Sequence, residues 1–323
     1  MIKVAIIGYG NLGRGVERSI KQNNDMELVG VFTRRDPETV QTEGAKAFTM
    51  EHLKQKKGEI DVCILCGGSA TDLPSQTPEW THLFNTIDSF DTHAKIPEHF
   101  AKVDQVAKEN QTTSIISTGW DPGLFSLNRL YAQSILPVGQ TNTFWGKGVS
   151  QGHSDALRRI NGVLDAVQYT IPNSEVIEKL KAGEQLELTT RDKHFRECFV
   201  VLADGVDAEE IRKEIVSMPN YFADYDTEVH FITQAELDQN HKEMPHGGTV
   251  LHTGITHENT KQVIEYNLQL ESNPEFTASV LVAYARACVR LAKEKQFGAY
   301  TVLDIPPKYL SDRSDEVLRK ELL

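Results

Sequence analysis

Cysteine is scarce in this sequence, with four residues in 323. That is too few for a disulfide scaffold and points to a reducing compartment. Long hydrophobic runs are missing too. No apolar stretch approaches the ~18 residues of a membrane span. The N-terminal run Val4 to Ile7 is closed by Gly8 and falls short of the ~7 residues of a signal-peptide core. Basic charge is in deficit: 34 Lys and Arg stand against 46 Asp and Glu, a formal net charge of −12. Such a surface repels a phosphate backbone, which excludes a general nucleic-acid or anionic-membrane binder. The expectation is a cytoplasmic protein without nucleic-acid or membrane partners, of two domains at one per ~150 residues.

What is present is order along the chain. Over the first 120 residues, short apolar runs alternate with helical patterns, the signature of a parallel sheet wrapped by helices. Val4 to Ile7, Glu27 to Thr33, Ile60 to Cys66, Thr86-Ile87 and Ser114 to Ser117 read as strands. Leu12 to Gln22 and Pro97 to Asn110 read as helices between them. Beyond Asp121-Pro122-Gly123 the texture changes. Phe125 to Leu136 is helical, and in Ile264 to Glu271 apolar and polar residues alternate strictly, as in a strand with one wet face. Val163 to Ile171, Cys198 to Ala203 and Glu228 to Ile232 are its expected sheet partners, with helices at Ala208 to Val216 and Phe276 to Lys295. The predicted fold class is α/β: a Rossmann-type dinucleotide-binding domain plus a smaller α+β domain for substrate and dimerisation, with a mixed or antiparallel sheet. The expected boundaries are 1–120, rejoined by about 298–323, and 121–297.

Gly8-Tyr9-Gly10-Asn11-Leu12-Gly13 fits G-x-G-x-x-G directly after a strand and before a helix. Glycine triplets arise by chance, but this context gives each a task. The first makes the tight turn, the second lets the backbone approach a pyrophosphate, and the third packs helix against strand. NAD-binding versions carry an acidic residue about 20 positions on, whereas here that count reaches Thr33-Arg34-Arg35. An arginine pair and a hydroxyl suit a 2′-phosphate, so the predicted cofactor is NADP. Cys66-Gly67-Gly68-Ser69 follows a parallel strand and is expected to line the same crevice. Cys63 and Cys66, three apart in a strand, point to opposite faces and cannot share a metal or a disulfide.

Asp88-Ser89-Phe90-Asp91 and Asp121-Pro122-Gly123 end two further strands, so both are expected at that sheet edge with Ser89, Phe90, Asp121, Pro122 and Gly123 near the cofactor. Carboxylates beside a nicotinamide point to a positively charged substrate; the plain alternative is turn and capping aspartates. His230, His241, His246, His252 and His257 cluster in sequence without ligand spacing, and no metal is expected.

Together, Gly8 to Arg14, Thr33-Arg34-Arg35, Ser117 to Gly123, Phe144-Trp145-Gly146, Ser150 to Arg159 and Met244 to Gly248 resemble the meso-diaminopimelate D-dehydrogenase family over nearly the whole chain, Val4 to about Asp304. The resemblance implies NADP-dependent oxidative deamination of the D-centre of meso-2,6-diaminopimelate, giving L-2-amino-6-oxopimelate, ammonia and NADPH. In the opposite direction the reaction feeds lysine and cell-wall peptide. It also implies a homodimer and a substrate cleft between the domains. Carried over by motif, Asp91, Asp121, Trp145, Gln151 and Gly152 surround the reacting D-centre, with Trp120, His153 and Asp155 close by. Thr170, Arg196, His246 and Asn273 hold the distal end. Asp121 or His153 is the expected proton acceptor, and the residues leave that choice open. Two other readings remain: another two-domain NADP reductase, related to homoserine dehydrogenase or dihydrodipicolinate reductase, and a dinucleotide sensor without catalysis.

Overall fold

Central strands of a parallel sheet are buried on both faces and read as unbroken apolar runs. The computed structural model, which describes residues 1–323, has such a run in β1 (Ile2–Ile7). In chain order there follow α1 (Asn11–Lys21), β2 (Met26–Thr33), β3 (Ala47–Thr49), α2 (Met50–Gln55), β4 (Val62–Leu65), α3 (Leu73–Thr81), β5 (Thr86–Asp88), α4 (Ile96–Asn110), β6 (Thr113–Ile115) and α5 (Leu124–Ile135). Next come β7 (Gly139–Trp145), β8 (Gly148–Val149), α6 (Gln151–Arg158), β9 (Val163–Pro172), α7 (Ser174–Lys181), α8 (Thr190–Lys193), β10 (His194–Leu202), α9 (Ala208–Ser217) and β11 (Asp226–Phe231). The chain closes with α10 (Gln234–Asn240), β12 (His246–His257), β13 (Thr260–Leu270), α11 (Asn273–Lys293), β14 (Gly298–Tyr300) and α12 (Asp315–Leu322).

The chain divides into two units, Met1–Leu127 with Pro274–Leu323, and Asn128–Asn273. The first holds a seven-stranded sheet in the order β14-β6-β5-β4-β1-β2-β3, parallel at every pairing. The strand order reverses between β1 and β4, the switch point at which such sheets bind ligands. The second unit has a mixed sheet, β11-β10-β9-β8, and an antiparallel one, β13-β12-β7. The α/β class with its additional mixed and antiparallel sheets is as predicted.

Two expectations need correction. The boundaries fall at 127 and 274 rather than 120 and 297, because α11 belongs to the first unit. Its residues from Ala278 to Leu291 are buried almost all round and share one core with Val4, Ile6, Ile64 and Ile115. Helical spacing shows that a helix is buried without showing against what. The alternating strand Ile264 to Glu271 lies in β13 and pairs with β12, not with the strands expected beside it. Those strands form a separate sheet, and β7 and β12, rich in Gly, Thr and His, carry no clear alternation. The C-terminal segment joins the first unit: β14 extends its sheet, and Val302 and Ile305 enter its core. Arg286 fixes this return with two 2.6 Å bonds to Asp25 and one of 2.6 Å to the Leu310 carbonyl. No helix is long and apolar enough to cross a membrane.

Candidate active site

At the end of β1 each glycine of the triplet meets a different constraint. Gly8 turns with φ 89°, and a Cβ on Gly13 would lie 2.4 Å from the Gly8 carbonyl oxygen. Gly10, by contrast, has nothing of the protein within 4 Å of its Cβ position. Its open surface lets an anion approach the N-terminus of α1 closely. A cleft of about 280 Å³ adjoins it, lined by Gly8, Tyr9, Gly10, Thr33, Arg34, Arg35, Cys66, Gly67 and Gly68 together with Asp72 and Gln76. This arrangement fits a dinucleotide: a glycine loop for the pyrophosphate and two guanidinium groups at the end of β2.

The charged groups of this cleft already have partners, whereas the buried Gln76 Oε1 has none. Arg34 pairs with Asp72 at 2.7 Å, and the other Asp72 oxygen accepts the Gly68 N–H. These bonds hold the Asp72 carboxyl below the usual carboxylate range, the Gly68 N–H most of all, against the opposing effect of desolvation. Arg35 donates to the Tyr9 carbonyl at 2.6 Å, and its own N–H is accepted by Thr33. Tyr9 uses its ring structurally: the hydroxyl donates to buried Glu17, and desolvation, that bond and the nearby Glu17 charge push the phenol up to about 12. Asp72 and Gln76 escaped the sequence reading. Asp72 follows Ser69 by only three positions, which was the available signal.

Of the other residues expected at this edge, Phe90 turns inward. Its ring is buried 4.3 Å from His99. Asp88 is fully buried and accepts from Thr77, the Phe90 and Ser117 N–H groups and shares a 2.8 Å bond with His99, so it is a structural aspartate. Asp91 is exposed, and it exchanges hydrogen bonds with Ser69 through its carboxylate and N–H. Around Asp121 the loop is tight. A Cβ on Gly123 would lie 1.7 Å from the Gly119 carbonyl oxygen, so this turn admits only glycine. Trp120 stacks edge-on against Phe125 at 5.2 Å. Cys63 and Cys66 are free thiols, both pushed up by burial, so neither serves as a nucleophile.

In the second unit two of the expected distal residues, Thr170 and His246, lie around Arg196, whereas Asn273 is placed beside Met244. This arginine is buried on β10, opposite Thr170 of β9 and Thr227 of β11. Its guanidinium donates to the Thr170 hydroxyl and lies 3.9 Å from the centre of the Tyr225 ring. No carboxylate pairs with it. Desolvation lowers the guanidinium pKa, and its charge reaches three histidines: His153, held down to about 4, His194, down to about 3, and His246, also lowered. In each, burial is the larger cause. His153 shares a 2.7 Å bond with Ser150, hydrogen-bonds the Tyr221 backbone and packs edge-on against Tyr221 and Phe222.

His194 was not anticipated, although alternation along β10 places it on the face of Arg196. Its Nε2 accepts the Trp145 N–H at 2.8 Å, and its ring stacks on the indole at 5.3 Å. Gln151 reaches the Met244 sulfur at 3.0 Å, and the Met244 carbonyl accepts the Asn273 N–H. Met244 and His246 line an open cavity of about 980 Å³ with Gly146 and Lys147. Gly152 is exposed beside Gln151. Asp155, expected near the substrate, is instead exposed and paired with Arg158 one turn along α6. Tyr225 left no mark in the sequence, because its place beside Arg196 depends on a loop path. Glu197, Glu228 and His230 bring ligand atoms within 4.8 Å of one another on a partly exposed surface, where His230 lies 3.3 Å from Glu197.

Residues 119–272 match the model of the diaminopimelic acid dehydrogenase C-terminal domain. Over its full length the chain is 60% identical to meso-diaminopimelate D-dehydrogenase of Ureibacillus thermosphaericus, covering 99% of that protein. The chain belongs to the meso-diaminopimelate D-dehydrogenase family. Within this family, the Corynebacterium glutamicum DAP dehydrogenase in complex with DAP superposes with a TM-score of 0.94 at 45% identity, covering 100% of this chain and 99% of that one. An engineered D-amino acid dehydrogenase bound to NADP+ gives 0.89 at 44% identity over the same shares. These likenesses are to enzymes that use a nicotinamide dinucleotide, in agreement with the cleft at β1.

Proposed function

We propose that the protein oxidatively deaminates the D-centre of meso-2,6-diaminopimelate: substrate, water and NADP+ yield L-2-amino-6-oxopimelate, ammonium, NADPH and a proton. The observation that carries this reading beyond family membership is Arg196. A buried guanidinium without a carboxylate is strongly disfavoured, and a substrate carboxylate at hydrogen-bond distance supplies the missing partner. Thr170 beside it fixes one edge of the fork, while His246 and Asn273 address the rest of the distal amino acid. Trp145, steadied by His194, walls the methylene chain. NADP, bound through the Gly8–Gly13 loop with Arg34 and Arg35 at its 2′-phosphate, supplies the hydride acceptor.

The residues around the D-centre have proton work to do. The ammonium must lose a proton before its nitrogen can form a double bond to carbon, and water must then add to that imine. His153 is a weak candidate for the acceptor, since burial depresses its basicity and its ring is tied to Ser150 and the Tyr221 backbone. Asp121 therefore takes the proton in this reading, with Asp91 complementing the ammonium charge. Run in reverse, the reaction supplies diaminopimelate for lysine and cell-wall peptide in the cytoplasm. Exposed Leu130, Tyr131, Ile135, Val138, Ile255 and Val263 form the apolar surface through which two copies associate as a homodimer. The reaction is tested by following NADPH formation with the meso, L,L and D,D isomers. Turnover of the meso isomer alone is expected; turnover of none would leave the dinucleotide-sensor reading standing.

A further inference from the structure

Gln168 is completely buried on β9, and neither its amide nitrogen nor its amide oxygen has a hydrogen-bond partner. Of the other buried atoms in this condition, Arg196 Nε and Thr227 Oγ1 lie on the neighbouring strands. Strand register puts all of them on one face. Gln168 stands opposite Cys198, and Thr170 opposite Arg196, which in turn stands opposite Thr227. Gln168 and Arg196 are thus diagonal neighbours, at ~7–8 Å between Cα atoms, within reach of two long side chains. Further along the same face, Ala166, Val200 and Val229 form an apolar core with Leu157, Ile211 and Phe222. The polar strip begins at Gln168. The strand is anchored there, because the Gln168 N–H donates to Ser154 and its carbonyl accepts the Ser150 N–H.

A buried amide left without partners is costly, and an apolar side chain of the same shape would remove the cost. We propose that Gln168 is a positioning residue for selectivity toward a distal carboxylate: its amide and the Thr227 hydroxyl hold one buried water against Arg196 Nε. Such a water has three polar partners, within the usual range of two to four. With Nε held by the water and the terminal nitrogens bonded to Thr170 and Tyr225, the guanidinium plane is fixed and presents its unused N–H groups to the substrate. The inference rests on the proposed meeting of Arg196 with that carboxylate.

The test compares the purified wild-type chain with Gln168→Met and Gln168→Glu, measuring kcat, KM for meso-diaminopimelate, KM for NADP and melting temperature. Gln168→Met is expected to melt at or above the wild-type temperature. Its KM for meso-diaminopimelate should rise about tenfold, the worth of one charge-assisted hydrogen bond, with kcat and the KM for NADP little changed. Gln168→Glu places a carboxylate where it pairs with Arg196 internally, and its KM should rise further. A stable Gln168→Met with unchanged KM would overturn the proposal. Should that variant fail to fold, an unchanged KM in the nearly isosteric Gln168→Glu would do so. Failure of the wild type itself to oxidise meso-diaminopimelate would instead remove the functional reading beneath it.

Discussion

The cofactor cleft of the first unit and the polar strip of the second solve ligand binding in opposite ways. In the cleft every charged group already has a partner: Arg34 has Asp72, and Arg35 has the Tyr9 carbonyl. Each guanidinium uses one nitrogen internally and keeps further N–H donors, so a ligand arriving there adds to bonds already made and also draws on backbone shape and helix N–H groups. In the strip, Arg196 Nε, Thr227 Oγ1 and both amide atoms of Gln168 are buried without partners. In the proposed reading a buried water and a substrate carboxylate together complete that network, and the selectivity is for chemistry rather than shape. Unmatched buried polar groups are what make a site reject a substrate lacking the complementary group.

The largest effects expected in the cleft come from its glycines. Gly13→Ala forces a Cβ to 2.4 Å from the Gly8 carbonyl, which must shift the loop or the helix. A loss of stability of ~1–3 kcal/mol and a KM for NADP raised at least about tenfold are expected from thermal melts and kinetics. Gly10→Ala sharpens the contrast, since it meets no protein atom: melting should be unchanged while the KM for NADP rises. Equal loss of stability in both variants would mean that Gly10 is a folding residue.

Acid should separate the two regions next. His153 and His194, held down to about 4 and about 3, bind protons more readily unfolded, where the ordinary value is 6.5. Their contribution is therefore intact above about pH 6.5 and is lost as pH falls below it. His194 would also lose its Trp145 bond on protonation, because Nε2 is the acceptor. The carboxylates of the first unit behave differently. Glu17 stays below its ordinary range despite desolvation, since Tyr9, Lys21 and two backbone N–H groups donate to it, and Asp25 is lowered chiefly by its bonds from Arg286. Their stabilisation is present above the ordinary values of 4.5 and 3.8 and is lost as pH falls through the lowered ones. Hydrogen exchange between pH 7 and 5 should loosen residues of Asn128–Asn273 before those of the first unit. Simultaneous loosening would contradict the assignment of neutral histidines.

The smallest effect is expected at Asp72. Asp72→Asn releases Arg34 from a partly exposed ion pair, of a kind worth ~0.2–1 kcal/mol. The KM for NADP should fall a few-fold at most, with the KM for NAD unmoved. An increase would show that Asp72 orients Arg34 instead of competing for it.

The same contrast explains what could be read in the sequence. The glycine loop, β1 and the Arg34-Arg35 pair were legible because contiguous residues carry each constraint. Arg196 and Thr170 were named through family resemblance, but their shared face with Gln168 and Thr227 follows from pairing among strands far apart in the chain. Nothing local marks Gln168 as buried, and polar β-strand residues are ordinarily solvated. The placement of α11 was missed for a related reason, since a helix buried all round has no face from which its partner could be inferred. Asp88, Phe90 and Asp155 lie in motifs next to site residues, yet their side chains serve the core or a surface ion pair.

The most direct test of the account is a selectivity measurement on Arg196→Met. The ratio of kcat/KM for meso-diaminopimelate to that for a D-amino acid of similar length with an uncharged side chain, D-2-aminoheptanoate, should fall by about 10³ relative to wild type, at unchanged or higher melting temperature. A ratio that stays at the wild-type value in a folded variant would contradict the claim that the buried, unpaired Arg196 is the seat of the distal carboxylate.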